Sequence, residues 1–404
     1  MSESHSTTAG WRRPDTLLLL MAAAVPLSYA TWQALLNNFA IERVSFTGAE
    51  MGMMQSIREI PGFLSFAVVF LLLVFREQTL AVVALALLGI GTALTGFFPT
   101  ILGLYLTTFV MSVGFHYYEA VQLSLVLQWI DKAKAPQTFG RIIAVGSFAG
   151  LAAYAIVYAA FDLAGFDYRW VYLLGGGLTV AIAVFAWLGF PRFAQPVVQH
   201  KHMVLRRRYW LYYALTFMSG ARRQIFVVFA GFLMVEKFHY SVGEITLLFL
   251  INGVINTWMA PIIGRWISRW GERRALTLEY IGLIGVFSGY AFVENATVAG
   301  GLYVVDHLFF AMAIAIKTYF QKIADTADIA PTAGVSFTIS HIAAVVIPAA
   351  FGILWLASPA AVFLAGVAMA ACSLLLARNI PPSPAPGNEA LLGRVALPEP
   401  AAAV

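Results

Sequence analysis

The chain has 404 residues, of which 60% are hydrophobic and only 11% are charged, and its formal net charge is +5. Soluble domains carry about 45–50% apolar and about 25% charged residues, so this composition excludes a soluble globular protein. The apolar runs are about 20 residues long, which is the length of a transmembrane helix and too long for a strand of a membrane barrel.

The apolar segments predict twelve transmembrane helices, with breaks at glycine, proline or charge clusters. The predicted helices cover residues 16–38, 48–74, 79–98, 100–130, 138–162, 170–190, 210–236, 243–266, 275–293, 298–322, 332–356 and 359–378. Six lie on each side of the polar segment 191–209, where two prolines exclude a continuous helix. We therefore predict an all-α membrane protein of two six-helix bundles, 16–190 and 210–378, joined by a basic linker.

Two tails flank the bundles. Residues 1–15 lead into an apolar run that ends without a small-residue cleavage site, so we predict a cytoplasmic tail and a first span and not a cleaved signal peptide. Residues 379–404 are rich in proline and alanine, which predicts a disordered cytoplasmic tail.

Lysine and arginine are distributed unevenly between the predicted loops. Seventeen fall in segments on the side of the termini and three, Arg43, Arg169 and Lys237, on the other side. Cytoplasmic loops carry an excess of basic residues, so we predict a protein of the cell (inner) membrane with both termini cytoplasmic. This role in topology explains the positive net charge, and we predict no nucleic-acid partner. The seventeen are Arg12, Arg13, Arg76, Lys132, Lys134, Arg192, Lys201, Arg206, Arg207, Arg208, Arg265, Arg269, Arg273, Arg274, Lys322, Arg378 and Arg394.

An internal repeat at an offset of 194 residues relates the two halves. Residues 42–50, ERVSFTGAE, align with residues 236–244, EKFHYSVGE, and the same offset pairs Arg58 with Asn252. Two parallel six-helix halves of this kind are typical of transporters.

The layout and one loop resemble the major facilitator superfamily over nearly the whole chain. The loop after the eighth predicted helix reads GRWISRWGERR, in which Gly264, Arg269, Gly271 and Arg273 fit the superfamily's inner-loop motif. Ser268 stands where that motif has aspartate, and the first-half copy, VFREQTL, lacks the glycines. The resemblance implies a transporter fold in which two bundles rock around a midplane site and this loop latches the inner face.

Ionisable and amide side chains within the predicted spans are the candidate site residues, because a charge in the bilayer is costly and is retained mainly for function. The predicted substrate-binding residues are Arg58, Arg222, Arg223, Asn252, Asn256, Lys317 and His341. The predicted proton-coupling residues are Glu59, His116, Glu119 and Asp306.

Adjacent residues of a helix diverge by about 100°. Of Arg222 and Arg223, we therefore expect one to face a cavity and the other to pair with a carboxylate between helices. Arg58 and Glu59 diverge in the same way, which leaves open a structural ion pair with another helix.

Spacing predicts which of the other residues share a face. His116 and Glu119 are three residues apart, so we place them on one face of the fourth helix. Asp306 and Lys317 are eleven residues apart, which returns to nearly the same face of the tenth helix. Lys317 alternatively extends to the membrane interface.

The remaining polar residues have weaker functional interpretations. Asn252 and Asn256 lie on one face, and their alternative role is hydrogen bonding between helices. Glu279 and Arg141 lie near the cytoplasmic ends of their helices, where we predict a gate or an interface.

We predict a secondary active transporter that moves a small solute by alternating access. Four midplane cations against three acids favour an anionic or zwitterionic solute. Buried carboxylates or histidines are suited to carry a coupling proton, although another ion stays open. No nucleotide-binding motif is present, so we predict no cofactor and no ATP-driven pumping. The expected partners are the solute, the ion and the bilayer, and we expect a monomer.

Two alternatives stay open. The first is a relative of the same fold that senses or assembles without transporting. The second, more remote, is an intramembrane enzyme. Ser340 and His341 are adjacent on one helix and cannot form a catalytic dyad with each other, and no HExxH metal motif occurs.

Overall fold

The computed structural model describes residues 11–130, 135–193, 205–325 and 328–393. In these ranges the structure is helical apart from turns and one isolated bridge between Ala385 and Asn388. The helices in chain order are α1 (Pro14–Val44), α2 (Gly48–Phe63), α3 (Glu77–Thr95), α4 (Ile101–Trp129), α5 (Ala135–Tyr158), α6 (Tyr168–Gly189), α7 (Arg207–Glu236), α8 (Val242–Trp270), α9 (Glu272–Phe292), α10a (Ala296–Ala311), α10b (Ile314–Ile323), α11 (Ile329–Ala357) and α12 (Pro359–Arg378).

Eleven helices of the described ranges, counting α10a and α10b as one, are long and apolar enough to cross a membrane. The remaining predicted span contains α2 and is interrupted. A 3₁₀ segment (Leu64–Ala67) follows the last turn of α2, and a short helix (Val68–Leu71) follows that segment. The prediction of one continuous helix over 48–74 is therefore wrong. Pro61 lies in that last turn and lacks the amide donor that a regular α-helix needs.

The chain divides into two compact units. Unit 1 comprises Met1–Phe46, Ile57–Gln199 and Tyr240–Leu250, and unit 2 comprises Thr47–Ser56, His200–His239 and Ile251–Val404. Each unit thus includes one short segment from the other half of the sequence. The first part of α2 belongs to unit 2, and the first part of α8 belongs to unit 1.

The helices of the two units pack in the same order. In unit 1, α1 packs on α5 and α6, and α3 packs on α4 and α6. In unit 2, α7 packs on α11 and α12, and α9 packs on α10a and α12. Small residues permit the close contacts, as in other membrane bundles. A Cβ atom at Gly220 on α7 would lie 2.9 Å from the backbone oxygen of Ser340 on α11.

The repeat seen in the sequence corresponds to two helix caps. The backbone amide of Thr47 donates to Glu50 Oε2 at 2.9 Å, and that of Ser241 donates to Glu244 Oε2 at 2.8 Å. Both pairs form the capping box that a Ser or Thr makes with a Glu three residues later. The boxes begin α2 and α8, and each follows a left-handed residue, Ser45 (φ 57°) or His239 (φ 55°).

The tail after α12 is ordered over residues 379–393, in contrast to the disorder predicted for 379–404. Asn379 holds the returning chain, since its backbone oxygen accepts from Leu391 N at 2.9 Å and its Oδ1 accepts from Leu392 N at 2.7 Å. Ile380 and Ala390 are buried, and burial of such side chains offsets the entropy of ordering. Residues 394–404, like residues 1–10 of the predicted N-terminal tail, lie outside the described residues.

The end of the predicted linker is fixed to the loop before α11. The Arg206 guanidinium donates to both carboxylate oxygens of Asp328, at 2.8 Å from Nη2 to Oδ1, and the Tyr209 hydroxyl donates to Asp328 Oδ2 at 2.9 Å. Arg208 pairs with Asp325. The hydrogen bonds from Arg206 lower the pKa of Asp328 below its ordinary value. Residues 194–204 of the linker lie outside the described residues.

Candidate functional site

Unit 1 contains a buried charged cluster. Arg58 on α2 forms an ion pair with Glu59, donates to the Tyr29 hydroxyl at 2.8 Å, and lies 5.7 Å from the ring centroid of Trp32. The Arg58 and Glu59 side chains are each only 8% exposed. The alternative of a structural ion pair with another helix therefore does not describe this contact, because Arg58 and Glu59 pair within α2. The long aliphatic part of the arginine side chain allows the guanidinium to reach the adjacent residue.

His116 on α4 extends this cluster. Its Nε2 atom lies 3.9 Å from Glu59 Oε2, and its Nδ1 atom lies 3.0 Å from the hydroxyl of Ser112. The same hydroxyl contacts the backbone oxygen of Arg58, so one serine joins α4 to α2. Glu119 is exposed whereas His116 is buried, so the two residues have different surroundings although three residues separate them on α4. Residues three apart on a helix are still offset by about 60°, which here separates a packed surface from an exposed one.

Unit 2 contains a second buried cluster, from α7, α9 and α10a. Arg222 Nη1 lies 3.6 Å from Glu279 Oε1, and neither side chain is exposed. The Arg222 guanidinium also lies 4.4 Å from the ring centroid of Tyr280. Asp306 is fully buried and interacts electrostatically with both Arg222 and Glu279. The cluster therefore contains one cation and two acids.

The polar atoms of the second cluster are not satisfied by the part of the chain that the structure describes. The three side-chain nitrogen atoms of Arg222 and both carboxylate oxygens of Glu279 and of Asp306 make no hydrogen bond there. Buried polar groups are nearly always hydrogen-bonded, and groups without a partner indicate water, an ion or a functional role. Arg222 has no exposed surface and lies in this internal cluster, and Arg58 is buried in the first cluster. Solute binding by either residue stays a prediction.

Arg223 lies on the other side of α7 and is exposed, with its guanidinium 5.9 Å from the ring centroid of Phe310. Directly after the two arginines, α7 becomes π-helical over Ile225–Ala230. Such π segments interrupt the regular helical bonds and are frequent at functional sites. The adjacent arginines therefore divide between an internal pair and an exposed cation, as the helical geometry predicts.

A family profile described as the Major Facilitator Superfamily matches residues 16–348. The chain belongs to the major facilitator superfamily. This membership identifies a multi-pass transporter and not an enzyme, and it confirms the twelve-helix fold predicted from the sequence. No curated protein matches the chain by sequence comparison.

Solved transporters of low sequence identity share the fold. A point mutant of the nucleoside transporter NupG is similar with a TM-score of 0.75 at 15% identity, over 90% of this chain and 99% of that one. A bacterial homologue of the human lysosomal transporter Spinster, inward-facing and unoccupied, has a TM-score of 0.71 at 12% identity, over 92% and 96%. A POT family transporter in complex with 5-aminolevulinic acid has a TM-score of 0.71 at 12% identity, over 90% and 94%.

The superfamily loop after α8 begins α9 with Gly271 in a left-handed conformation (φ 79°). Ser268, in the place of the motif's aspartate, donates to the Gly264 backbone oxygen of its own helix at 3.0 Å. Glu272 is nearly buried and pairs with Lys322 of α10b at 2.8 Å. The loop thus joins α9 to α10b within unit 2. The other two motif residues are Arg269, which is exposed, and Arg273, which is half-buried.

The tenth helix is broken near its middle. The amides of Met312 and Ala313 bond three residues back, in place of the regular four, and α10b begins directly after them. Asp306 on α10a is fully buried, whereas Lys317 on α10b is exposed. The expectation that they share a face is wrong, because the tighter turn changes the rotation between them.

The other predicted residues differ in their surroundings. Asn252 is buried and neither atom of its amide group has a hydrogen-bond partner among the described residues. Asn256, one turn later, is exposed. His341 is half-buried, with Nδ1 2.8 Å from the backbone oxygen of Phe337.

Four members of the clusters were not found from the sequence: Ser112, Tyr29, Trp32 and Tyr280. Ser112 precedes His116 by one helical turn, and this spacing was a usable signal for a hydrogen-bonded pair. Tyr29, Trp32 and Tyr280 lie on other helices than the arginines that they contact, and no local sequence pattern connects them. Glu279 was predicted at a gate or an interface, and the structure places it opposite Arg222.

Proposed function

We propose that this protein is a secondary active transporter that moves a small anionic or zwitterionic solute across the cell membrane by alternating access, driven by protons. The observation that carries the proposal is the composition of the second cluster. One guanidinium and two carboxylates are enclosed together without hydrogen bonds to the rest of the described chain.

Charge balance supports the coupling proton. With one guanidinium and two carboxylates the ionised cluster has a net charge of −1, so it is neutral only when one proton is added. The proton is favoured because an uncompensated buried charge costs several kcal/mol. Arginine keeps its proton in proteins, so the added proton resides on Glu279 or Asp306. A change of conformation that admits water to the cluster would release it. Glu59 and His116 in unit 1 offer a second place for a proton, since histidine titrates near neutral pH.

Two exposed cations support an anionic group on the solute. Arg223 and Lys317 are exposed, and neither forms an ion pair with any residue that the structure describes. The planar fork of arginine matches a carboxylate or phosphate, and an ammonium adds a second point charge. A solute that carries a carboxylate or phosphate would satisfy charges that the described chain leaves without an acid.

The transporters of similar fold suggest two contrasting probes. The solute named for the POT family structure, 5-aminolevulinic acid, carries a carboxylate and an amine, whereas the nucleosides named for NupG are neutral. Because identities of 12% and 15% show the fold alone, neither compound is assigned to this protein. Testing both compounds distinguishes a preference for charged solutes from a preference for neutral ones.

A thermal-shift experiment on the purified full chain tests the proposal, because a ligand that binds only the folded state raises the melting temperature. We expect carboxylates or phosphates, with 5-aminolevulinic acid as the first probe, to raise it, and a nucleoside to leave it unchanged. Arg223→Gln should abolish the shift, while the matched charge loss Arg378→Gln, in the last turn of α12, should keep it. A shift with nucleoside alone, or an unchanged shift in Arg223→Gln, would contradict an anionic solute.

We also propose that the protein lies in the inner membrane with both termini cytoplasmic, on the basis of the seventeen and three basic residues counted in the sequence. We further propose that it acts as a monomer, because this one chain supplies the helices of both predicted bundles.

A further inference from the structure

We infer that residues 379–393 form a strap that holds α10b in place and thereby controls the mobility of this half of the tenth helix. The inference goes beyond the proposed function, because it needs neither the solute nor the coupling ion to be known. It rests on three observations, concerning the fold of the strap, its contacts with α10b and α7, and the break before α10b.

The strap is a closed turn that returns to its own starting point. Ala385 and Asn388 exchange backbone hydrogen bonds of 3.4 and 2.9 Å, and the carboxylate of Glu389 accepts from Gly387 N at 2.8 Å. The side-chain amide of Asn379 then closes the turn by donating to the Leu392 backbone oxygen at 3.2 Å. Four prolines restrict the unfolded segment, which lowers the entropy lost when it docks. They are Pro381, Pro382, Pro384 and Pro386.

The strap contacts two helices that are distant from it in sequence. The hydroxyl of Tyr319 on α10b donates to the Glu389 backbone oxygen at 2.5 Å, and Trp210 Nε1 on α7 donates to the Gly393 backbone oxygen at 3.0 Å. Tyr319 is completely buried, and Ala390 is 1% exposed. The hydrogen bond to α10b is therefore protected from water, which makes it costly to leave unmade.

The restraint falls on a segment that can move separately. The irregular turn at Met312 and Ala313 separates α10b from α10a, so the regular helical bonds do not transmit rigidity across it. At its other end α10b is held by the Lys322–Glu272 pair, half-exposed on the lysine side. Between these two points Phe320 stacks on Tyr212 of α7 at 4.2 Å between ring centroids, and the strap adds the buried hydrogen bond of Tyr319. Because α10b carries Lys317, the strap also fixes where that exposed ammonium lies.

Hydrogen exchange of the purified full chain tests the inference, since exchange of helix amides reports local opening. In Tyr319→Phe, which keeps the ring and removes the hydrogen bond, we expect the amides of residues 314–323 to exchange about five- to tenfold faster, as loss of one buried hydrogen bond implies. The amides of residues 296–311 should exchange at the wild-type rate. A chain that ends at Ile380 should show a larger effect confined to the same segment.

Trp210→Phe is the matched control, because it removes the strap's contact with α7 and leaves Tyr319 intact. We expect a smaller acceleration over residues 314–323 in this variant than in Tyr319→Phe, because Asn379 still closes the strap. Three results would overturn the inference: unchanged exchange in Tyr319→Phe, equal acceleration across 296–311 and 314–323, or the same acceleration in Trp210→Phe. If the shortened chain does not accumulate, the comparison of the two point variants decides alone.

Discussion

Arg222 Nη1 and Glu279 Oε1 are 3.6 Å apart inside unit 2, and neither side chain has any exposed surface. At this distance the contact is electrostatic and longer than a hydrogen bond. Such a pair contributes little by itself, but the loss of one partner leaves a buried charge without compensation. The neighbouring Arg223 is exposed, so the two arginines form a natural comparison.

We expect Arg222→Gln to lower the free energy of unfolding by about 3–5 kcal/mol, because Glu279 is left unpaired. Arg223→Gln should change it by less than about 1 kcal/mol, as at other exposed positions. The double variant Arg222→Gln/Glu279→Gln should recover most of the loss. Denaturation of the purified variants measures all three, and equal stabilities of Arg222→Gln and Arg223→Gln would show that the buried pair is not structural.

Topology gives a prediction that is independent of the site. A reporter fused after Arg208 should lie in the cytoplasm, and one inserted near Glu294 should lie outside, because one precedes α7 and the other follows α9. Alkaline phosphatase and green fluorescent protein fusions distinguish the two sides. Both reporters on the same side would contradict the assignment of an odd number of spans between them.

The helices were predictable from the sequence because the signals for them are local. Apolar runs, basic loops and the repeat at residues 42–50 and 236–244 each depend on neighbouring residues, and the structure has helices and caps at these places. The break in α10 and the ordered strap were not predictable. The strap is stabilised by contacts between residues far apart, such as that of Tyr319 with Glu389.

The charged residues within the apolar helices were recognisable from the sequence, but their pairing was not. Charges in apolar spans are conspicuous, and this signal alone found Arg222 and Asp306. Which carboxylate pairs with which arginine depends on side-chain conformation, which helical spacing does not determine. Arg58 reaches its own neighbour Glu59, whereas Arg222 reaches Glu279 on another helix.

Gly52 on α2 packs against α11 within unit 2, and a Cβ atom there would collide with the backbone oxygen of Pro348. We expect Gly52→Ala to destabilise the protein by about 1–3 kcal/mol through overpacking. Gly285→Ala is the control, because its Cβ atom would meet open space and alanine favours a helix. Melting temperatures measure both changes. A stability loss of the same size in Gly285→Ala would indicate a general effect of the methyl group.

Proton coupling predicts separate effects on accumulation and exchange. We expect at least one of Glu59→Gln, Glu119→Gln and Asp306→Asn to abolish uphill transport and to leave downhill exchange measurable, because the variant binds solute but carries no proton. Asp306→Asn is the first choice, since it leaves Arg222 and Glu279 as a neutral pair. Flux into proteoliposomes, with a solute found by thermal shift, measures both modes. Accumulation against a gradient in all three variants would exclude coupling through carboxylates.

The last prediction concerns the pH dependence of stability through Asp328. Hydrogen bonds from Arg206 hold the pKa of Asp328 below its value in the unfolded chain, about 3.9. The folded state therefore binds fewer protons in the interval between the two values, and stability falls as pH decreases through it. The stabilisation by Asp328 is fully present above about pH 5 and is lost as the pH falls through the lowered pKa.

We therefore expect Asp328→Asn to melt at a lower temperature than the wild type at pH 7, and the difference to shrink below about pH 4. Asp325→Asn is the matched control, because the Asp325 side chain is 52% exposed and contributes less at any pH. In an Arg206→Gln background the effect of Asp328→Asn should also diminish, since the main donor is gone. A difference between Asp328→Asn and the wild type that stays constant from pH 7 to pH 3 would show that the carboxylate charge does not stabilise this end of unit 2.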